Sequence, residues 1–432
     1  MRFCSKFLKV SPLTVAFGLW LVVSPVNALT IQEAIKDMLA NNPDVQEDRQ
    51  EILARAHEIR GAKAGYLPTL DAAVGVGREW TTSRATGNTG LILDREEASI
   101  SLRQMVYDGN KTGSEVDRQK ARYKSAVFSA INTQENAALR ASQAYINVLR
   151  HAELLSLLKN SLDEHQNIYD QTSLRSEAGV GSRADVDQIS VRLSLATSNF
   201  IAGKNNFLNA LSQFQGLSGY IPDASLMEPP VGMSLPASLD ESLTIAFVEH
   251  PTINSAAADI EAAEAQYAAS KSERHPTLHL EGDRSWNEDI DGVVGENKDW
   301  VVALRLRYNI YNGGKDSARR KETAELLQKA KDVARGAKWE TEEGMRLSWY
   351  AYEATLQQLE HLVVHVQSVT ATKEAYVKQF NIGRRSLLDL LNTEGELVRA
   401  QQTYTNTKYD QLYSQIRVLN SSGQLTKGLG VK

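Results

Sequence analysis

The 432-residue sequence holds a single cysteine, Cys4, within its first 28 residues. A chain without that segment has no thiol and forms no disulfide, so its stability must come from packing or assembly. Proline is missing from 69 to 221 and again from 277 to 432, which permits long uninterrupted helices. After residue 28 no run approaches the roughly 18 apolar residues of a spanning helix, so a membrane-crossing structure would have to be a closed β-barrel. The eight histidines are scattered. There is no HExxH, GxSxG or P-loop spacing, and the glycines of Val74-Gly75-Val76-Gly77 fall in an alternating pattern that opens no helix. Enzymatic chemistry, a metal site and a cofactor are therefore not expected.

The first 28 residues combine a basic start (Arg2, Lys6, Lys9), an apolar stretch from Val10 to Val23 and the small-residue end Val26-Asn27-Ala28. This pattern predicts a signal peptide cleaved after Ala28, since the stretch is shorter than the roughly 20 residues of a membrane anchor. Leu29, not cysteine, follows the cut, so no lipid-anchored N-terminus is expected. Loss of the three basic residues turns 48 against 53 acidic into 45 against 53, a balance of -8 that argues against nucleic-acid binding.

What is present is an internal duplication. Leu29 to Val45, LTIQEAIKDMLANNPDV, is echoed by Ala237 to Ile253, ASLDESLTIAFVEHPTI, which sets Pro43 opposite Pro251. AGYLPTL returns as SERHPTL, with Pro68 opposite Pro276 at the same offset of 208 residues. LRQMVYDGNKTG, from Leu102, matches LRYNIYNGGKDS, from Leu306, and GVGSRADV, from Gly179, matches GRRSLLDL, from Gly383. Four blocks in one order predict a first repeat over 29–216 and a second over 237–425, with a short tail at 426–432. Between them, 217–236 is rich in proline and glycine and reads as a linker.

Lys111 to about Ser176 is rich in Ala, Leu, Gln, Glu and Arg, with Leu139, Ser142, Ile146 and Leu149 at alternating three- and four-residue steps. That is coiled-coil spacing. A helix of about 65 residues would reach on the order of 100 Å. From Ser386 the spacing repeats through Tyr409, Leu412, Ile416 and Leu419, although many inward candidates are Gln, Thr, Ser or Asn. Such a narrow stripe fits a solvated antiparallel coiled coil, and equally a wall of helices with water on two sides.

Four runs alternate with period two. Leu70, Ala72, Val74 and Val76 form the first; Ile100, Leu102 and Val106 the second; Leu278 and Leu280 the third; Val302, Leu304, Leu306, Tyr308 and Ile310 the fourth. Each spans about ten residues, enough for a tilted strand to cross a bilayer. Polar segments, Thr81 to Arg95 and Asn287 to Lys298, read as loops joining each pair. Trp80, Tyr107, Trp286, Trp300 and Tyr311 near the run ends suit an interfacial girdle, and would also suit the core of a soluble hairpin pair. Membrane barrels need about eight strands or more, so membrane-spanning strands would require partner chains.

The tandem halves, each a helix, a proline-led strand, a YDG or YNGG strand exit and a long helix, resemble the TolC-like outer-membrane factor family over essentially the whole mature chain. The resemblance implies a mainly α fold with a small β part: long antiparallel coiled-coil helices forming a periplasmic α-barrel, and four transmembrane strands per subunit closed into a 12-stranded barrel in a homotrimer. It implies a bacterial outer-membrane location extending into the periplasm, and a duct working with a periplasmic adaptor and an inner-membrane ABC transporter or other pump. FNIGRRSLLDLLNTEGEL, Phe380 to Leu397, is similar to the family's turn at the periplasmic tip, where the tunnel narrows. Carried over by position, the aperture pair is Asp389 and Asn392, the second replacing an acidic residue. The family's latch maps to Arg385, Phe380 and Asp185, with Phe380 lacking the hydroxyl of the usual tyrosine. Without the motif these would read as ordinary helix-surface charges beside a turn. Ala98 to Gln119 looks more like family members serving type I protein secretion, including large adhesins, than like efflux members; drug efflux and a periplasmic coiled-coil scaffold are the alternatives.

Overall fold

The computed structural model describes residues 29–220, 226–229 and 234–431. The expected signal peptide lies outside these residues, as does part of the expected linker. The described chain begins with α1 (Ile31–Asn41) and α2 (Pro43–Ala64), then β1 (Thr69–Thr82), β2 (Gly90–Tyr107), α3 (Lys111–Glu177) and α4 (Arg183–Ser218). The same order follows again as α5 (Leu239–Glu249), α6 (Pro251–Ser272), β3 (Thr277–Ile290), β4 (Val293–Arg307), α7 (Lys315–Asn381) and α8 (Leu387–Ser421), before a short α9 (Leu425–Gly428).

Helix boundaries follow local chemistry. Thr30 caps α1 in a reciprocal box with Glu33, and Asn42 and His250 cap helices that open on Pro43 and Pro251, where the missing N–H costs nothing. Strand passes to long helix through two successive left-handed residues in each half, Gly109-Asn110 (φ 68° and 68°) and Gly313-Gly314 (φ 72° and 86°). Glycine and asparagine tolerate that region, which explains the YDGN and YNGG wording. With no proline to interrupt them, α3 and α7 each run 67 residues, on the order of 100 Å.

The main core lies at mid-height. Ile31, Ile35 and Met38 of α1 meet Tyr145 and Ile146 of α3, Phe214 of α4, and Leu412, Ile416 and Leu419 of α8. Burying each such side chain stabilises by about 1.5–3 kcal/mol. The Tyr145 hydroxyl donates to the Met227 carbonyl at 2.5 Å, with the Leu29 carbonyl at 2.7 Å, so the segment between the halves is tied to the same core. Glu135, 2 % exposed, accepts the N–H groups of Leu425 and Thr426 and the Thr426 hydroxyl, which anchors α9 on α3.

The four strands form one antiparallel sheet in the order β1-β2-β3-β4. One face carries Leu70, Val74, Val76, Ile92, Leu304 and Leu306, all exposed in the single chain. A bulge at Val106 puts Tyr107 opposite Leu278, which moves the tyrosine onto this apolar face. From Leu278 to Trp286 the apolar band covers about nine residues of strand, the thickness of a bilayer core for tilted strands, interrupted by Arg284, whose guanidinium lies 5.1 Å over the Trp286 ring.

The strands are longer than the alternation predicts. Thr81 to Arg95 and Asn287 to Lys298, expected as loops, mostly continue the ladder, with pairing to Thr82↔Gly90 and Ile290↔Val293. Backbone pairing there does not depend on apolar side chains, and Arg78–Asp94 (2.6 Å) and Arg95–Glu79 (3.1 Å) bridge the polar extension. At the other end β4 stops at Arg307, so Tyr308 and Ile310 lie beyond the strand.

Removal of the Glu135 acceptor should free the C-terminal segment. Glu135→Ala leaves the buried Leu425 N–H and the partly buried Thr426 N–H unpaired, a cost of about 1–3 kcal/mol. Limited proteolysis should then cut near Leu425, and unchanged resistance would contradict the anchor.

Candidate functional site

The ends of the long helices farthest from the sheet come together as two turns, α3 to α4 around Gly179 and α7 to α8 around Gly383, both glycines at φ 74°. Ile168 and Ile189 from one hairpin pack with Leu387, Leu390 and Leu391 from the other, with Tyr169, Val377 and Phe380 around them. This small apolar cluster holds the two hairpins together and fixes the charged groups around it.

Asp389 lies in the first turn of α8, where its backbone N–H donates to the Ser386 hydroxyl at 3.1 Å and its carboxylate accepts from that hydroxyl at 2.9 Å. A carboxylate is favoured there by the helix dipole. Arg385 sits 3.7 Å from the same carboxylate, donates from Nε to Gln379 at 3.0 Å and lies 4.3 Å over the Tyr376 ring. It is thereby folded back on its own hairpin. Asp185 occupies the first turn of α4 and forms no salt bridge among the described residues. The single chain therefore does not bring Arg385 and Asp185 together. Phe380 instead receives the Arg175 guanidinium over its ring at 5.3 Å, joining α7 to α3. Asn392 accepts from Arg192 at 3.2 Å and joins α8 to α4.

The sequence reading missed the polar pairs that cross from hairpin to hairpin. Lys373 of α7 reaches across to Glu164 of α3 at 3.5 Å, and within its own hairpin lies 2.7 Å from Glu394 of α8, whose side chain is only 5 % exposed. The 2.7 Å contact is a close ion pair without hydrogen-bond alignment, since Glu394 Oε2 has no hydrogen-bond partner among the described residues. Burial pulls the Lys373 pKa down, but the adjoining carboxylates outweigh it and hold the value above that of ordinary lysine. Farther from the tip, Glu153 accepts from Thr405, Lys408 and Tyr409, and Arg150 pairs with Asp410 at 2.6 Å. These contacts give several polar residues of the α8 stripe a partner: the seam between hairpins is built from polar pairs as well as from leucines.

Lys373→Ala leaves Glu394 buried without its cation, a cost of about 3 kcal/mol or more. The parent protein should also loosen here in alkali, because a raised lysine pKa contributes stability below the ordinary value of about 10.4 and loses it as pH rises through the folded value. Hydrogen exchange of residues around 373 and 394 would measure both effects, and equal protection in parent and variant would contradict them.

A family profile described as outer membrane efflux protein matches residues 34–220 and 243–424. Outer membrane efflux protein BepC of Brucella suis is 22 % identical over 92 % of this chain and 86 % of its own length. Outer membrane protein TolC of Escherichia coli is 22 % identical over 97 % of this chain and 87 % of its own. Among solved structures, the outer membrane protein VceC of Vibrio cholerae superposes with a TM-score of 0.77 at 14 % identity, covering 93 % of this chain and 96 % of that one. CusC gives 0.80 at 15 % identity with 91 % of each chain covered. The profile spans most of the described chain, and the superpositions extend the same fold over nearly all of it. The chain belongs to the outer membrane efflux protein family, the TolC-like proteins of the bacterial outer membrane.

Proposed function

We propose that three copies of this chain form the outer-membrane exit duct of a tripartite export system. The observation that carries this reading is the four-stranded sheet, apolar on one face, charged on the other, and joined directly to helices of 67 residues. A sheet with one lipid-compatible face and two open edges suits one part of a barrel, and helices on the order of 100 Å long suit a conduit through the periplasm. Three copies supply twelve strands. The helices also have an unpartnered side: α4 packs on α3 and leaves Val191, Leu195, Ile201 and Leu208 exposed, a surface for the next subunit.

Residues 1–28 act in this reading as the cleaved export signal, and 29–216 and 237–425 as the two repeats. The chain carries no nucleotide-binding motif, so energy comes from an inner-membrane ABC transporter or other pump through a periplasmic adaptor. For cargo, the wording of Ala98 to Gln119 favours type I protein secretion, with a large adhesin as the exported protein. The efflux proteins among the relatives favour small-molecule efflux as the second reading. Deleting the gene should remove one large protein from the extracellular and surface profile; an unchanged profile with increased drug susceptibility would select efflux instead.

At the tip, Asp389 from each subunit forms a ring of carboxylates that selects cations, as charged rings do in other pores. Asn392 leaves that ring with half the acidic groups of the family pattern. Asp185 serves as the partner of Arg385 across the subunit boundary, where Arg385 exchanges its own Asp389 for the neighbour's carboxylate. An exposed pair is worth at most about 1 kcal/mol, and three copies add around the ring. Arg385→Ala should raise single-channel conductance in planar bilayers, and Asp389→Ala should weaken block by divalent cations. Unchanged currents in both variants would remove these residues from the gate.

A further inference from the structure

The charged face of the sheet is not uniform. At the end joined to the helices, Glu281 of β3 lies among three arginines. Arg305 Nε is 2.6 Å from one carboxylate oxygen, Arg307 is 2.9 Å from the other, and Arg103 Nε is 3.9 Å from that second oxygen. The register explains the grouping: Arg103 stands directly opposite Glu281 on β2, and on β4, where Ala303 is opposite, Arg305 and Arg307 follow on the same face two and four residues nearer the helices. All four point away from the face of Leu102, Leu280, Leu304 and Leu306, because neighbours along a strand alternate sides.

Exposure decides which sign a solute meets. The Glu281 side chain is 14 % exposed, whereas the three arginine side chains are 52–53 % exposed. The carboxylate serves as a covered hub and the guanidinium groups face water. One carboxylate offsets one of three positive charges, leaving +2 per chain and +6 over three chains. His279 stands opposite Arg305 in the register, and its Nδ1 is buried without a hydrogen-bond partner among the described residues. Toward the free end of the sheet the sign reverses: Asp71, Asp283, Asp299 and Glu97 occupy the same face in the following rungs.

We propose that Arg103, Arg305 and Arg307 form an arginine belt inside the duct, where the helical tunnel meets the β-barrel, and that the belt binds carboxylate groups of the solute in transit. Each guanidinium keeps N–H donors that Glu281 does not occupy, in the planar arrangement that matches a carboxylate. A solute leaving the tunnel meets the positive belt first and the acidic rungs second. The belt therefore holds acidic groups at the barrel entrance, while the acidic rungs hold basic ones farther out. This inference rests on the export-duct reading, which makes the charged face the lumen.

The test is fluorescence anisotropy of a labelled oligoglutamate peptide with the purified, detergent-solubilised full-length protein, with conductance in bilayers measured on the same preparation. The parent should bind at low salt and release the peptide at about 1 M salt, where the Debye length is roughly 3 Å. Arg305→Gln with Arg307→Gln should weaken binding about tenfold or more, and Arg305→Lys with Arg307→Lys, which keeps the charge but loses the fork, should bind measurably between the glutamine variant and the parent. Citrate as competitor separates the sources: displacement at low concentration assigns the belt to small carboxylate anions, and displacement only at high concentration assigns it to acidic polypeptide, both within the proposal. A conducting parent that ignores the peptide overturns the belt alone, as does a glutamine variant that binds like the parent. Loss in the lysine variant as well would assign binding to fold rather than charge and overturn it too. A preparation that neither assembles nor conducts overturns the duct reading first, and the belt with it.

Discussion

The hydrocarbon of a bilayer offers no water to a peptide group, and an unpaired N–H or C=O there costs several kcal/mol. Among the described residues, β2 and β3 are paired on both sides, whereas β1 and β4 each have one neighbour. The outer edges of β1 and β4 therefore present rows of unmet backbone groups at the level of the apolar band. Curling four strands upon themselves does not solve this, since about eight is the smallest membrane barrel. Partner chains do, and the exposed apolar residues of α4 suit the same arrangement below the membrane.

A conduit wall has different needs from a globular core. Each long helix has to meet neighbours on its flanks while its remaining surfaces face water, which narrows the apolar stripe. The mid-height core around Tyr145, Phe214 and Ile416 supplies ordinary hydrophobic packing where the short helices gather. Toward the tip that supply dwindles to the five buried residues around Leu391, and polar pairs such as Lys373–Glu164 and Arg192–Asn392 connect the hairpins instead.

Much of the architecture was legible in the residues. Absent prolines foretold the long helices, the period-two runs foretold four strands, and the YDGN and YNGG exits foretold turns that the structure builds from left-handed residues. Strand length was misjudged because the apolar alternation ends near Val76, while the ladder continues through Arg78 and Asp94 on backbone bonds and charge pairs. The tip was less legible. Arg192 and Asn392 are 200 residues apart, and no local pattern announces their meeting. Arg175 over Phe380 likewise depends on the register of two helices, each more than 60 residues long. Arg385 was recognised by position, yet its contacts within one chain, Asp389 and Gln379, come from its own hairpin.

The central claim is that β1 of one chain pairs with β4 of the next until three chains close a barrel. With Cys4 in the expected leader, the mature chain offers no competing thiol, so cysteines placed pairwise on the two edge strands report that contact directly. Oxidation in the outer membrane should give covalent dimers and trimers, with the series ending at three. Monomers alone across every β1 and β4 pairing, or a series running past three, would contradict the account.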